Sequence, residues 1–515
     1  METSTPYTQH LKTPALMKKI LFLSALILLT FEGKSQEKSY KRGVSYGYHS
    51  ENDMEAASQG ISWWYNWAAQ PDVAIRNTYP NYDVDFTPMA WNSAGISGVE
   101  NWAGQDANVR YVLGFNEPNF RDQANMTPSQ AAAAWPALQA IAQAHELEIV
   151  GPAVNYCGNC VSENGVTYSN PFTYLDAFFA ACTNCQVDHI ALHWYGGGNS
   201  IVGYVEEARQ YGKPIWVTEF AAWDGSATNL KAQKNYLAGT VNFLERDPDV
   251  YRYSWFIGRT SGGPSAYPYI DLYGADGTLT ELGQLYMDIP VYDPDQRFPI
   301  PGRIEAEEYH LMSGLFSELT EDNDGFMNIG WTESGDWAEY RINVQHGGTY
   351  KLRARVSGSN PGEIDFLVDG QPAATLSTPN TGGWQSWVTV SANIALDSGE
   401  HTLRMNILDG GFNINWIDFS EATVGSEDTG FHPAEIFPNP VTGGMVNVQL
   451  PETLPKSDWK IALYDVFGNC LLEKKLNLHE PRFQIDVSEA RLIPGIYLLY
   501  LTRANQAISE RIVIL

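Results

Sequence analysis

Basic residues are scarce in this chain relative to acidic ones. Lysine and arginine number 32 among 515 residues, aspartate and glutamate number 60, and the formal net charge is −28. A protein with this charge is repelled by the phosphates of nucleic acids and by anionic membrane surfaces, which argues against both as partners. Neutral polymers such as glycans meet no such repulsion. The same acidic balance is also typical of exported proteins that stay soluble, so it does not identify a ligand.

Long apolar runs are also missing, apart from one near the N-terminus. The uncharged, mostly apolar run Ile20–Phe31 follows two lysines, and small residues lie between it and Gln36. This layout predicts a signal peptide over residues 1–35, because the run is too short to span a bilayer. The first sixteen residues fit poorly before such a signal. We therefore expect translation to begin at Met17 and the secreted form to begin near Gln36.

Cysteine is rare, since only five occur, and four of them form two Cys-x-x-Cys pairs. In a cytosolic protein the spacing of Cys157, Cys160, Cys182 and Cys185 would favour a zinc site. In an exported protein two disulfides are favoured, because thiols meet an oxidising compartment. We expect them to tie the loop after the fifth predicted strand to the segment before the sixth. The sequence does not show which cysteine pairs with which, and Cys470 is left over.

Short apolar runs alternate with helical patterns between residues 42 and 290. Thr127 is a suitable N-cap for one helix, because Pro128 takes the first position and Gln130 completes a capping box. Alternating strands and helices imply a parallel sheet, and eight strands imply a closed (β/α)8 barrel of the TIM type. The predicted strands are Gly43–Tyr48, Ile61–Tyr65, Val84–Ala90, Tyr111–Asn116, Glu148–Ala153, His189–His193, Ile215–Thr218 and Tyr251–Phe256.

Two glutamates end short apolar runs in this segment. Glu117 follows the fourth predicted strand and Glu219 follows the seventh. The loops after the strands build the active sites of such barrels. Two carboxyl groups on either side of a sugar bond are the minimum equipment for glycoside hydrolysis. One strand-end glutamate could be a solvated loop carboxylate, but the pair favours a glycosidase.

The motifs around these glutamates resemble a known catalytic domain. Gly114-Phe-Asn-Glu-Pro-Asn119, His193-Trp-Tyr-Gly196 and Trp216-Val-Thr-Glu-Phe220 are similar to glycoside hydrolase family 128, the clan A endo-β-1,3-glucanases, over residues 42–290. The resemblance implies that Glu117 is the general acid/base, that Glu219 is the nucleophile, and that Asn116 binds the sugar 2-hydroxyl. It also implies a retaining enzyme, with carboxyl groups about 5–5.5 Å apart. No cofactor is expected for catalysis.

Aromatic residues are frequent where the substrate cleft of such a barrel would lie. Exposed aromatics form glycan subsites because sugar rings stack on flat π surfaces, although core packing explains any one of them equally well. Tyr195, Trp223 and Trp255 are the better candidates, because they lie at or just beyond strand ends. His193 could orient a catalytic carboxylate or be a buried structural histidine. The other aromatics of this region are Trp63, Trp64, Tyr65, Trp67, Trp91, Trp102 and Trp194.

A second segment follows a linker of residues 291–302, which contains three prolines. From 303 to 420 the pattern has period two: Tyr350, Leu352 and Ala354 share one face of a predicted strand, while Lys351 and Arg353 share the other. Many short alternating strands predict a β-sandwich of the jelly-roll type. Because each segment has its own apolar pattern, we expect the sandwich to be separable from the barrel.

The sandwich segment resembles carbohydrate-binding module family 6. The similar motifs are Ile304-Glu-Ala-Glu307, Asn328-Ile-Gly-Trp331, Gly335-Asp-Trp337, Thr381-Gly-Gly-Trp384 and Gly411-Phe-Asn-Ile-Asn-Trp416. The resemblance implies that a sugar lies between Trp331 and Trp384, near Asn413.

The same segment contains candidate ligands for a cation. Glu305 and Glu307 are two residues apart and would share one strand face, and such oxygen ligands suit Ca²⁺, although a solvated strand face is the alternative. The resemblance to family 6 implies a structural calcium site formed by Glu305, Glu307 and Asp418.

The last segment, residues 435–515, follows a polar linker over 421–434 and is rich in predicted strands. The motifs Ile436-Phe-Pro-Asn-Pro440 and Gly495-Ile-Tyr497, with the basic-then-apolar end at Arg511–Leu515, resemble the C-terminal sorting domain of type IX secretion. The resemblance implies contact with that secretion machinery, passage across the outer membrane and removal of the tail.

These patterns together predict a secreted or cell-surface endo-glycosidase on laminarin-type β-1,3-glucan, built of three domains, with no membrane insertion. One alternative is a clan A glycosidase on another β-glycan, such as xylan or mannan. A second alternative is a surface glycan-binding protein with a catalytically dead barrel. Both catalytic glutamate positions are filled, which favours an active enzyme.

Overall fold

The computed structural model describes residues 38–262, 269–422 and most of 435–514. The predicted signal peptide and its cleavage point therefore lie outside the described residues. The chain divides into two compact units, the first ending at Ala422 and the second beginning at Thr423. Among the described helices, none is long and apolar enough to cross a membrane.

Within the described residues, the first part of unit one contains ten strands. They are β1 (Arg42–Ser45), β2 (Trp63–Tyr65), β3 (Asp85–Phe86), β4 (Tyr111–Leu113), β5 (Glu148–Val154), β6 (Ser162–Glu163), β7 (Val166–Thr167), β8 (His189–Trp194), β9 (Ile215–Phe220) and β10 (Val250–Phe256). β6 and β7 form a small hairpin. The other eight strands are parallel, in the spatial order β3-β2-β1-β10-β9-β8-β5-β4.

The two ends of this sheet meet beyond β3. Met89 pairs with Leu113 of β4. The Leu113 N–H donates to Pro88 O at 2.9 Å, and the Ala90 N–H donates to Leu113 O at 2.9 Å. The sheet therefore closes into the predicted barrel, and every predicted strand overlaps an observed one. Its interior is filled by buried side chains, among them Trp63, Tyr65, Leu113, Val150 and Trp216.

In the described part of the chain, seven α-helices accompany the barrel strands. They are α1 (Glu51–Ala57), α2 (Ile96–Ala103), α3 (Pro128–His145), α4 (Pro171–Ala181), α5 (Ser200–Ala208), α6 (Leu230–Arg246) and α7 (Glu281–Asp288). The predicted cap of α3 is confirmed: the Thr127 hydroxyl accepts from the Gln130 N–H, and the Gln130 side chain accepts from the Thr127 N–H. Such reciprocal bonds satisfy two of the free N–H groups of a helix start.

The second part of unit one is a β-sandwich of two six-stranded sheets. Its strands are β11 (Phe298–Ile300), β12 (Gly302–Glu305), β13 (Leu311–Ser313), β14 (Phe316–Leu319), β15 (Met327–Gly330), β16 (Trp337–Val344), β17 (Gly348–Gly358), β18 (Gly362–Val368), β19 (Gln371–Thr378), β20 (Gly383–Leu396), β21 (Gly399–Asp409) and β22 (Phe412–Glu421). Tyr350, Leu352 and Ala354 of β17 are buried in the core between the sheets, as their period-two spacing predicts.

Two local expectations for this segment are wrong. The predicted linker contains β11, which pairs with β16 and so belongs to the sandwich. β12 ends at Glu305, so Glu307 lies in the following turn rather than on the same strand face.

The sandwich packs directly on the barrel through α6. Gly239 of this helix has no side chain, and a Cβ atom there would lie only 2.0 Å from Ser317 O of β14. Asn242 Nδ2 donates to Ser317 Oγ at 3.0 Å, and Arg246 Nη1 donates to Tyr309 O at 2.8 Å. Phe316 is part of the buried apolar cluster of the barrel. The two domains form one compact unit, which contradicts the expectation of two separable bodies.

The cysteine pairs form local bridges. Cys157 is bonded to Cys160, and Cys182 is bonded to Cys185. Two disulfides are therefore present, but they do not tie the loop after β5 to the segment before β8. Cys470 is free and exposed.

Unit two consists of a three-stranded and a four-stranded antiparallel sheet. Its strands are β23 (Glu435–Phe437), β24 (Met445–Gln449), β25 (Asp458–Tyr464), β26 (Cys470–Asn477), β27 (Arg482–Asp486), β28 (Gly495–Arg503) and β29 (Gln506–Ile514). It has its own buried core, which includes Val446, Val448, Trp459, Leu463 and Leu499.

Candidate active site

Glu117 lies just beyond β4, at the end of the barrel where the strands finish. Its backbone is left-handed, with φ +41°, a conformation that is costly for a residue with a side chain. Backbone hydrogen bonds to β5 and within its own loop hold it there: the Glu117 N–H donates to Ala153 O at 2.8 Å, and the Phe120 N–H donates to Glu117 O at 2.9 Å. Its side chain is buried, and Asn155 Nδ2 donates to its Oε1 at 3.3 Å. The loop after β5 thus helps to position this carboxylate.

Glu219 lies within β9, and three aromatic side chains donate hydrogen bonds to its carboxylate. Tyr65 OH and Trp67 Nε1 donate to Oε1 at 3.0 and 2.7 Å. Tyr195 OH donates to Oε2. Burial raises the pKa of Glu219 above its usual range, while the charge of His193 and the hydrogen bonds from Tyr195 and Trp67 act in the opposite direction. The carboxylate is thus fixed in orientation and supplied with donors.

His193 joins the two glutamates. Its Nδ1 lies 3.0 Å from Glu117 Oε1 and 3.2 Å from Glu219 Oε2. Burial alone would lower the pKa of His193, but the charge of Glu219 and the hydrogen bond to Glu117 outweigh it and raise that pKa. One nitrogen of His193 and one oxygen of each glutamate lie within 4.8 Å of one another. These three atoms could ligate a metal ion, but the donors around Glu219 suit a reactive carboxylate better.

An open cleft of about 410 Å³ is lined by Trp67, which donates a hydrogen bond to Glu219. Trp67 and Phe256 line it, with Tyr46, Gly47, Tyr48, Ile257, Arg259, Thr260 and Ser261. Trp223 is 40% exposed, and its ring stacks on Phe256 with centroids 5.6 Å apart. Tyr195 contacts both of these rings edge-on. Of the predicted aromatic candidates, Tyr195 therefore contacts Glu219 directly, and Trp223 packs against Tyr195.

Trp255 does not lie in this cleft. Its side chain is fully buried, and its Nε1 donates to Ile270 O at 2.7 Å. Side chains of a strand alternate in direction, so the next residue, Phe256, faces the cleft instead. The prediction of Trp255 as a sugar-binding residue is wrong by one position along β10.

Asn116 is buried next to Glu117. Its Nδ2 lies 3.4 Å from Gln123 Oε1. Within the described residues its Oδ1 accepts no hydrogen bond. A buried acceptor without a protein partner is costly unless a ligand or water satisfies it. This side chain can therefore receive a hydrogen bond from a sugar hydroxyl.

The sandwich carries a second cleft, of about 490 Å³. Trp331 and Trp384 form its exposed aromatic walls, with 45% and 48% of their surface accessible. Asn413 lies between them, where its Nδ2 donates to Trp384 O at 2.9 Å and to Glu318 Oε1 at 3.1 Å. The structure brings all three predicted residues together. Glu318, Thr332, Glu333 and Gln385 also line the cleft, and no sequence motif singled them out.

Of the acidic pair near the start of the sandwich, Glu307 is buried and Glu305 is half-buried. Burial raises the pKa of Glu305 to about 7 and that of Glu307 to about 8. Glu305 Oε2, Glu307 Oε2 and Asn415 Oδ1 are buried and, within the described part of the chain, have no hydrogen-bond partner. The Ala306 N–H, between the two glutamates, donates to Asn415 O at 2.9 Å. Three unsatisfied oxygens so placed fit an oxygen-liganded cation.

Asp418 is engaged elsewhere on the same sheet. Its Oδ1 accepts from Arg353 Nε at 3.0 Å and also from Arg353 Nη2. On β22 it lies opposite Arg303, while Trp416 lies opposite Glu305. Asn415 was not among the predicted cation ligands, although it lies in the motif Gly411–Trp416.

Comparison with known proteins agrees with this architecture. Residues 43–286 match the glycosyl hydrolase catalytic core, 305–421 the carbohydrate binding module (family 6), and 435–515 the secretion system C-terminal sorting domain. A solved family 128 (subgroup II) endo-β-1,3-glucanase from Pseudomonas viridiflava is 40% identical, covering 50% of this chain and 100% of that enzyme, with a TM-score of 0.46. The chain belongs to glycoside hydrolase family 128.

Two curated relatives each match part of the chain. Alkali-sensitive linkage protein 1 of Schizosaccharomyces pombe is 29% identical over 254 residues, which is 48% of this chain and 43% of that protein. The clotting factor G alpha subunit of Tachypleus tridentatus is 32% identical over 122 residues, 23% of this chain and 18% of that protein. The chain thus spans less than half the length of these relatives. The sorting domain indicates export to the cell surface or the extracellular space.

Proposed function

We propose that this protein is a retaining endo-β-1,3-glucanase that hydrolyses laminarin-type glucans. The observation that carries the proposal is the triad of Glu117, His193 and Glu219, whose ligand atoms lie within 4.8 Å of one another. Carboxylates this close leave little room for a water molecule between nucleophile and sugar, which supports a retaining mechanism. The 40% identity to a β-1,3-glucanase over its whole length supports the choice of polymer.

In this mechanism Glu219 attacks the anomeric carbon while Glu117 gives its proton to the leaving oxygen. The glycosyl–Glu219 ester is then hydrolysed by a water that Glu117 deprotonates. Tyr65, Trp67 and Tyr195 hold the Glu219 carboxylate, because each donates a hydrogen bond to it. Asn116 offers Oδ1 to the sugar 2-hydroxyl. The chemistry requires no cofactor.

The test is product analysis on laminarin, xylan and mannan side by side. Oligosaccharides of several lengths should appear early from laminarin, because an endo-acting enzyme cuts within the chain. Release from xylan or mannan alone would overturn the choice of polymer. If no polymer gains reducing ends, the protein is instead a glycan-binding surface protein. The filled glutamate positions and their donors favour catalysis.

We also propose that the sandwich binds glucan between Trp331 and Trp384 and holds a structural Ca²⁺. Flat exposed rings on either side of a polar floor suit a sugar ring. For the cation, the unsatisfied oxygens favour Glu305, Glu307 and Asn415 as ligands. Asp418 remains the residue that the resemblance implies, but its pairing with Arg353 makes it the weaker candidate.

A further inference from the structure

The sandwich cleft is attached to the end of the barrel that carries the catalytic carboxylates. In a (β/α)8 barrel, the loop after a strand and the start of the following helix lie at this end. Tyr195 and Gly198 belong to the loop after β8, and Lys231 belongs to the first turn of α6, which follows β9. Each of these two elements contacts one wall of the cleft.

The first contact leads to Trp331. A Cβ atom at Gly198 would lie 3.1 Å from the ring of Phe316. The Phe316 ring in turn packs edge-on against Trp331, with centroids 5.3 Å apart. Gly198 is three residues beyond Tyr195, which donates to Glu219. Three extended residues span at most about 11 Å, so this wall of the cleft lies a short oligosaccharide away from the nucleophile.

The second contact leads to the wall that contains Trp384. Lys231 Nζ forms an ion pair with Glu321. The Glu321 N–H donates to Gln385 Oε1 at 2.8 Å, and Gln385 lines the cleft beside Trp384. Both walls are therefore linked through side-chain contacts to the catalytic end of the barrel. Because Gly239 lets β14 lie directly on α6, no flexible connection separates the two sites.

We propose that the sandwich cleft is a distal subsite of the catalytic groove, so that one β-1,3-glucan chain occupies both at the same time. This inference rests on the proposed function. It differs from a tethered module, which would hold a second, independent chain and only raise the local concentration of substrate. A chain that spans two rigidly joined sites binds more tightly than to either site alone, because its second contact is intramolecular.

The test uses Glu219→Gln, which should bind laminari-oligosaccharides without cutting them. Calorimetry with oligosaccharides of increasing length should show two short ligands per protein, one in each site. Above a threshold length we expect one ligand per protein and a dissociation constant at least tenfold lower. Adding Trp331→Ala should remove the gain with length. Leu408→Ala is the matched control, since Leu408 is an exposed hydrophobic residue of β21 outside the cleft.

Two long ligands per protein, or an affinity that does not rise with length, would overturn the inference. Sedimentation of the long-ligand complex should show a single protein, and a pair of proteins bridged by one chain would also overturn it. Failure of the proposed function looks different, because the unmutated enzyme would then release no product from any β-1,3-glucan. If the enzyme hydrolyses β-1,3-glucan but the two sites bind ligands independently, the distal subsite is rejected and the proposed function stands.

Discussion

Nδ1 of His193 lies 3.2 Å from Oε2 of Glu219. The charge of the imidazole lowers the pKa of this buried carboxyl, which burial otherwise raises. If Glu219 is the nucleophile, as proposed, it must be an anion, so activity falls as pH drops through the pKa of Glu219. In His193→Gln the lowering effect is lost and that pKa rises. We expect the acid limb of the kcat/KM profile to move to higher pH, with a lower maximum.

The control for this substitution is His189→Gln. His189 lies on the same strand, but at its opposite end, where its Nε2 is 2.6 Å from Glu148. Its removal can lower stability but should leave the position of the acid limb unchanged. If the acid limb of His193→Gln stays in place or moves to lower pH, His193 does not lower the pKa of Glu219.

Retention predicts a specific chemical rescue. Glu219→Ala should lower kcat by more than about a thousandfold, in the range that loss of a catalytic group produces. Added azide should restore turnover and give the α-glycosyl azide, because a small anion fills the place of the missing carboxylate. Proton NMR of the unmutated enzyme should show the β-anomer first. An α-anomer as the first product would contradict the retaining mechanism.

Calcium binding should depend on pH. In the unfolded chain Glu305 and Glu307 lose their protons near the ordinary glutamate pKa of about 4.3. In the folded protein they do so at about 7 and about 8. Between the unfolded-state and folded-state pKa values, the folded state binds more protons than the unfolded state does. The stability of the folded state therefore falls as pH rises through this range. A cation offsets the buried charges, so Ca²⁺ should raise Tm more at pH 8 than at pH 5. At a hundredfold excess over Kd the gain is about 2.7 kcal/mol.

The ligands of this site can be separated by mutation. Asn415→Ala should abolish the Tm response to Ca²⁺, because it removes one unsatisfied oxygen. Asp418→Asn should keep the response, since its carboxylate is paired with Arg353. The opposite pattern in calorimetry would assign the third ligand to Asp418.

The contact between α6 and β14 predicts the behaviour of two helical glycines. Gly239→Ala places a methyl group 2.0 Å from Ser317 O, and such overpacking costs about 1–3 kcal/mol. Unit one should then unfold several degrees lower. Gly203→Ala on α5 meets no atom within 4 Å, and it should leave Tm unchanged or raise it, because alanine favours the helix. Equal Tm values for the two variants in scanning calorimetry would exclude a tight interface.

The barrel was predictable because local patterns agree with the global fold. Eight apolar runs with helical stretches between them admit few other topologies, and a strand-end glutamate in such a barrel has few structural uses. The direction of single side chains was harder to predict. Trp255 and Phe256 are both aromatic neighbours at a strand end, and only the register of β10 decides which one reaches the cleft.

The sequence contains one indication of the interface between the domains that was not recognised. A glycine in the middle of a helix costs about 1 kcal/mol relative to alanine, and Gly239 is such a residue in α6. A glycine retained at this cost indicates that another backbone approaches the helix closely, but the sequence alone does not show which segment it is. The same holds for Asn415, because an asparagine in a strand becomes a candidate ligand only when its oxygen is seen to lack a partner.

The local pairing of the cysteines has a consequence for export. Four cysteines allow three pairings, and each observed bridge joins cysteines that are three residues apart. In an unfolded chain the nearest cysteine is met most often, since the entropy of closing a loop grows with its length. The first bonds to form during oxidation are therefore the native ones. The native pairing can thus be reached before the barrel exists.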